Sequence, residues 1–192
     1  MPNLYIIAGC NGAGKTTASF TILPEMLKCY EFINADEIAR GISPFNVEKA
    51  AIEAGKIMLK HIDQNLKEKN DFAVETTLSG KLHAKLVSKA KEHGYIVTLL
   101  FFWLDSPEMA KNRVQKRVLS GGHNIPSDVI ERRYFAGLEN FFTLFLPIVN
   151  NWYFVDSNSS EPEIIAKFNE GIIEINNSLV WNNLKSKYHG GE

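Results

Sequence analysis

The chain is short of cysteine, and that shortage excludes two classes at once. Only Cys10 and Cys29 occur among 192 residues. That is too few for a disulfide framework, and the pair lacks metal-ligand spacing, so a reducing cytoplasm is the expected compartment. Long apolar runs are missing too. The densest, Val97–Leu104, is far below the ~20 residues a membrane helix needs, so no membrane association is expected. The five-residue run Leu4–Ala8 near the N-terminus follows no positively charged stretch, which argues against a secretory signal. Charge of one sign is also scarce: 21 Lys and Arg against 22 Asp and Glu leave a net charge of −1, with no basic run. This is not the electrostatic footprint of a nucleic-acid binder, and none is expected as partner. Internal repeats and low-complexity linkers are absent, and the whole of residues 1–192 reads as a single domain.

What is present is ample core material. Hydrophobic residues make up 45% of the chain, with 12 Phe, 6 Tyr and 3 Trp, enough to exclude disorder. Short apolar runs alternate with helix-length periodic segments. Leu4–Ala8 is continuous, as in a strand buried on both faces. A helix is expected from Gly14 to just before Pro24, and a short strand at Glu31–Asn34. From Val47 to about Leu66 apolar residues fall at helical spacing, with Asn46 as N-cap. Strands follow at Phe72–Val74 and Tyr95–Leu104, separated by a helix over Lys81–His93 that Gly94 stops. Ser106, Pro107 and Glu108 open a further helix to about Leu119. Another runs from Ser127 to roughly Leu146. Trp152–Val155 is a fifth strand, Glu163–Phe168 and Ile172–Ile175 form a hairpin, and Leu179–Lys185 a closing helix. This alternation predicts a three-layer α/β domain with a mainly parallel sheet and a small C-terminal hairpin and helix. Ligands in such sheets bind outside the carboxyl ends of the strands.

Residues 9–17 read Gly9-Cys10-Asn11-Gly12-Ala13-Gly14-Lys15-Thr16-Thr17. They match G-x-x-x-x-G-K-[ST] in full, directly after a strand and opening a helix, the context in which this phosphate loop works. Glycines let successive N–H groups point inward at phosphate oxygens, and the helix adds its positive end. Gly9, Asn11, Gly12, Ala13, Gly14, Lys15, Thr16 and Thr17 are therefore assigned to ATP or GTP. Lys15 is expected to reach the β- and γ-phosphates, and the Thr16 hydroxyl to ligate Mg2+.

A phosphate loop alone does not separate kinases from other nucleotide hydrolases. Asp36, after the second strand, is placed to accept a proton from an acceptor hydroxyl, with a helix cap as its plain structural alternative. Glu75 and Thr77, after the third strand, are placed to bind a small-molecule acceptor, Glu75 also through a magnesium-bound water. Arg113 and Arg117 lie four apart on one helix face. With Arg133 and His123 around the Gly121–Pro126 segment they read as a lid that neutralises charge on the phosphates and excludes water. Surface pairing with Glu108 or Glu131 is the alternative. Asp105 resembles a Walker B acid, although Ser106 makes a structural cap equally good. Asn158, in Asp156–Ser159, is placed beside the base, and His83 reads as a bystander.

Several of these stretches together resemble the zeta-toxin-like P-loop kinases, a group also labelled predicted ABC-type ATPases. They are Gly9–Thr17, Asn34–Ala39, Glu75–Leu78, Arg117 with Gly121–Pro126, Arg132–Tyr134 and Asp156–Ser159, in consistent order over most of the chain. The resemblance implies transfer of the γ-phosphoryl group of ATP or GTP to a small-molecule hydroxyl. UDP-N-acetylglucosamine is the implied acceptor, and toxicity with an antitoxin protein as partner is the implied biology. Lys15 would then hold the phosphates, Asp36 act as base, Glu75 and Thr77 contact the sugar, and Arg117 and Arg133 serve in catalysis. Those toxins carry an arginine two residues after the motif threonine, where this chain has Ser79. Two rivals stand beside this reading: a metabolite kinase like the shikimate or gluconate kinases, and a regulatory ATPase without an acceptor. The Leu-Ser-Gly-Gly-Gln signature of ABC ATPases is not matched at Leu119–His123.

Overall fold

The computed structural model describes residues 1–122 and 124–189. In chain order the elements are β1 (Asn3–Gly9), α1 (Lys15–Thr21), β2 (Glu31–Ile33), α2 (Ala35–Ile42), α3 (Val47–Glu68), β3 (Phe72–Thr76), α4 (Leu82–Glu92) and β4 (Ile96–Trp103). They continue with α5 (Pro107–Leu119), α6 (Ser127–Asn140), β5 (Asn151–Asp156), β6 (Glu163–Asn169), β7 (Ile172–Ile175) and α7 (Ser178–His189). The seven strands form one sheet in the order β2-β3-β1-β4-β5-β6-β7. The first five are parallel, and β6 and β7 pair antiparallel at the edge. This is the three-layer α/β architecture expected from the alternation.

β1 and β4 are buried at successive residues, which requires helices over both faces of the sheet. Aromatic side chains fill the core on the β5 side. Phe101 stacks on Phe154 with ring centroids 5.5 Å apart, and Trp181 of α7 stacks on Trp152 at 5.0 Å, docking the C-terminal helix.

Three expectations are revised. Pro24 does not end α1 from outside; it lies inside a π-helical turn, Ile22–Met26, that continues the helix. Proline has no N–H to give the i→i−4 ladder, so the chain widens by a residue and Leu27 N donates to Ile22 O at 3.0 Å. Asn34 is not strand. Its side-chain oxygen accepts from Asp36 N (2.9 Å) and Glu37 N (3.3 Å), capping α2, a helix the apolar pattern did not announce. β3 runs two residues past Val74, so Glu75 lies within the strand.

Chain direction across the sheet reverses around β1. α1 and β2 lead to one side, β3 fills the gap between β2 and β1, and β4 pairs on the other side of β1. The crevice at such a reversal is where open α/β sheets take ligands.

Candidate functional site

β1 delivers the chain to Gly9, whose φ of 138° only glycine holds without strain. A Cβ there would sit 2.3 Å from the carbonyl oxygen of Phe102 on β4. Gly12 and Gly14 follow with φ of 83° and 81°, folding the loop back over the start of α1. Lys15 is only 6% exposed, and its ammonium donates to Cys10 O at 3.0 Å, across the loop it belongs to. Ser157, after β5, donates from Oγ to Ala13 O at 2.7 Å and pins the loop from the far side. Burial pushes the Cys10 thiol up to about 11, so at neutral pH it stays protonated and serves as a small packing group.

Glu75 joins the cradle to the next strand. Its carboxylate accepts from Thr16 Oγ1 at 2.7 Å and from Asn34 Nδ2 at 2.9 Å, and lies 3.7 Å from the Lys15 ammonium. The register explains this reach, because β3 pairs directly with β1 and Glu75 stands opposite Ile7. Asp105 is on the wrong strand for the same work. It follows β4, is exposed, and presents its N–H to Asn158 Oδ1 at 2.9 Å, while Ser106 caps α5. The carboxylate that reaches Thr16 is therefore Glu75 and not Asp105.

Two adjoining cavities meet along this line. One, of about 300 Å3, is bordered by Gly12, Gly14, Thr16 and Thr17 of the cradle and by Arg113 and Arg117 of α5. The other, of about 190 Å3, is bordered by Thr76, Thr77, Met58, His83 and Arg133. Asn11, Lys15, Asn34, Asp36 and Glu75 border both. The Asp36 carboxylate has no hydrogen-bond or ion-pair partner among the described residues, although its own N–H is held by the Asn34 cap. Asp36 thus borders both cavities, and the cap engages its N–H rather than its carboxylate.

The arginines come from two helices. Arg113 donates to Asn158 O at 2.7 Å, and Arg133 to Asn11 Oδ1 at 3.2 Å. Their alternative partners are engaged elsewhere: Glu108 and Glu131 both approach Lys111, at 3.8 and 2.5 Å. Arg133 lies in the second turn of α6, which Ser127 begins as expected. The Gly121–Gly122 step closes α5, with Gly122 N donating to Arg117 O at 2.9 Å. His123 lies outside the described residues.

Asn158 is not brought into the cleft. Its amide and backbone N–H both donate to Asp156 Oδ1, at 2.7 and 2.8 Å, and its oxygen serves Asp105 N, so the side chain ties the β4 and β5 ends together. Neither cavity is bordered by it. His83, set aside on sequence, does border the smaller one, with Nδ1 3.3 Å from Thr76 Oγ1. Burial pushes its pKa down to about 4, so the ring is neutral.

With this geometry in view, family and structural likenesses carry weight. The family model described as Zeta toxin matches residues 1–146. The chain belongs to the Zeta toxin family. The match ends before β5, so Ser157 and the hairpin lie beyond it. An uncharacterised protein of Haemophilus influenzae is 35% identical over 127 residues, 66% of this chain and 88% of its own length. Among solved structures, AvrRxo1-ORF1 in complex with ORF2 and ATP superposes with a TM-score of 0.75 at 16% identity, over 96% of this chain. This zeta-toxin family member thus spans 63% of that chain's length. The structure describing the PezAT toxin–antitoxin system of Streptococcus pneumoniae superposes with a TM-score of 0.71 at 16% identity, over 100% of this chain and 80% of the other. At that identity the superpositions speak for the fold alone.

Proposed function

We propose that this chain is a kinase that transfers the γ-phosphoryl group of ATP or GTP to a hydroxyl of a small molecule. The observation that carries the proposal is the Asp36 carboxylate, without a partner among the described residues, on the border shared by the cradle cavity and the smaller cavity beside it. In this reading the triphosphate lies along Gly9–Thr17, with Asn11, Ala13 and Thr17 contributing backbone or side-chain contacts and Lys15 leaving Cys10 O for the phosphates. The acceptor occupies the smaller cavity against Glu75 and Thr77. Asp36 takes the proton of the attacking hydroxyl as the new P–O bond forms and the bond to the leaving diphosphate breaks. Arg113, Arg117 and Arg133 neutralise charge on the transferring group. His123 belongs with them by sequence alone.

Magnesium fits the oxygen donors that Thr16 and Glu75 present 2.7 Å apart. This ion binds through one or two protein oxygens, with phosphate and water completing its shell. Bound there, it would supply positive charge to offset the negative charge that builds on the transferring group. Thr16 would be the direct ligand and Glu75 the acceptor of a magnesium-bound water.

UDP-N-acetylglucosamine or a related nucleotide-sugar is the first candidate acceptor, on the family's account. PezAT is described as a toxin–antitoxin system and AvrRxo1-ORF1 is bound to ORF2. These support a toxin held in check by an antitoxin protein. No described helix is long and apolar enough to cross a membrane, and we place the reaction in the cytoplasm.

The test is incubation with γ-labelled ATP and a panel of nucleotide-sugars, sugars and polyols, with Lys15→Ala as control. Label on one acceptor, lost in the control, supports the proposal. Release of phosphate alone, in every mixture, would favour a regulatory ATPase. Growth arrest on expression, relieved by Lys15→Ala, tests toxicity separately.

A further inference from the structure

We infer that α6 is the element that sets the acceptor turn at a fixed distance from the phosphate cradle, and that Gly137 and Asn140 are its positioning residues. The inference rests on the kinase reading for its consequence, though not for its geometry. Residues 133, 137 and 140 fall at helical spacing and share one face of α6. At the first position Arg133 donates to Asn11 Oδ1 of the cradle at 3.2 Å. One turn later Gly137 lies so close to the turn after β3 that a Cβ would be 2.6 Å from Thr77 O. At the third, Asn140 Nδ2 donates to Leu78 O at 2.8 Å. Tyr134, beside this stripe, donates to Leu104 O at 2.7 Å. One helix therefore grips the chain beyond β1, β3 and β4.

The gripped turn is itself unusual. Leu78 is a fully buried leucine with φ of 58°, a left-handed conformation that non-glycine residues adopt at a cost. Its N–H is held by Thr76 Oγ1 at 3.0 Å and its carbonyl by Asn140, while Thr77 Oγ1 and Ser79 Oγ lie 2.8 Å apart. Strained backbone persists where surrounding contacts over-determine it, and such places gather at ligand sites. Here the over-determination comes from α6. The rotational phase of Asn140 is locked in turn, since a π-helical turn begins at Phe141 and buries Phe141, Phe142 and Phe145 completely. Thr77 borders the smaller cavity and Glu75 borders both. The spacing between donor and acceptor is thereby set by one rigid rod. Errors of about 1 Å in such spacing cost about a hundredfold in rate.

Two substitutions test this with independent contacts. Asn140→Asp keeps the shape but replaces the donor with an acceptor that repels Leu78 O. Gly137→Ala pushes Thr77 O away. With Mg-ATP and UDP-N-acetylglucosamine, each variant should lose at least about tenfold in kcat/KM for the acceptor while KM for Mg-ATP stays within about twofold. Amide exchange over residues 76–80 should quicken by about tenfold, with residues 9–17 unchanged. Wild-type kinetics with wild-type exchange in both variants overturns the inference, as does parallel loss of both substrates with a general fall in melting temperature. Failure of the wild type to phosphorylate that acceptor counts against the substrate reading, and the exchange result then decides the positioning role alone.

Discussion

Thr16 Oγ1 and Glu75 Oε2 are 2.7 Å apart, and this hydrogen bond joins the phosphate cradle to the adjoining strand β3. The same carboxylate faces the Lys15 ammonium at 3.7 Å. The two groups proposed to receive a triphosphate are thus held by a carboxylate, and an incoming polyanion meets its negative charge.

Glu75→Gln separates these effects. It keeps an oxygen for the Thr16 hydroxyl and removes the like charge, so ATP without magnesium should bind several-fold more tightly, read by calorimetric titration. Transfer from Mg-ATP should fall by roughly a hundredfold, because a magnesium-bound water held as proposed would lose its anionic acceptor. Equal losses in both measurements would assign Glu75 to packing alone.

Ser157 tests how the cradle is braced. Its hydroxyl, on a 5% exposed residue, donates to Ala13 O at 2.7 Å. Ser157→Ala leaves that carbonyl unpaired, at a cost of about 1–2 kcal/mol. The Kd for ATP should rise roughly three- to tenfold while the melting temperature falls by a few degrees.

Gly9 tests the close approach of β1 to β4. With φ of 138° and a Cβ position 2.3 Å from Phe102 O, Gly9→Ala should destabilise the fold by about 3 kcal/mol or more, measured by urea unfolding. Gly80, with open space around it, is the control, and Gly80→Ala should stay within about 0.5 kcal/mol.

His83 gives the pH dependence. Burial lowers its pKa from 6.5 to about 4 in the folded chain. The unfolded chain therefore binds a proton that the folded chain refuses as pH falls between those values, and stability drops over that window. The slope from this group approaches about 1.4 kcal/mol per pH unit. Replacing His83 with Gln should remove that slope between pH 6.5 and 4, read as the pH dependence of the melting temperature; an unchanged slope would assign it to other groups.

The cradle was legible in full because its motif is contiguous: the glycines, Lys15 and Thr16 act within one turn of chain. The sheet was legible because β1 and β4 are unbroken apolar runs. What stayed hidden depends on pairing between distant segments. Asp105 and Glu75 both lie near the carboxyl ends of strands, and only the strand order, with β3 rather than β4 carrying a carboxylate to Thr16, separates them. Asn158 looked free in sequence but is consumed by Asp156 and Asp105. Gly137 and Asn140 carry no motif, and a glycine inside a helix was their one visible signal. His83 sits on a helix whose period gave no hint that the β3 turn lies beneath it.

The most direct measurement is single-turnover transfer of labelled γ-phosphate to the acceptor by Asp36→Asn beside the wild type, with Mg-ATP affinity measured on the same samples. The account predicts transfer slowed by about 10²- to 10⁴-fold, with affinity within about threefold. Transfer by Asp36→Asn at the wild-type rate would contradict it.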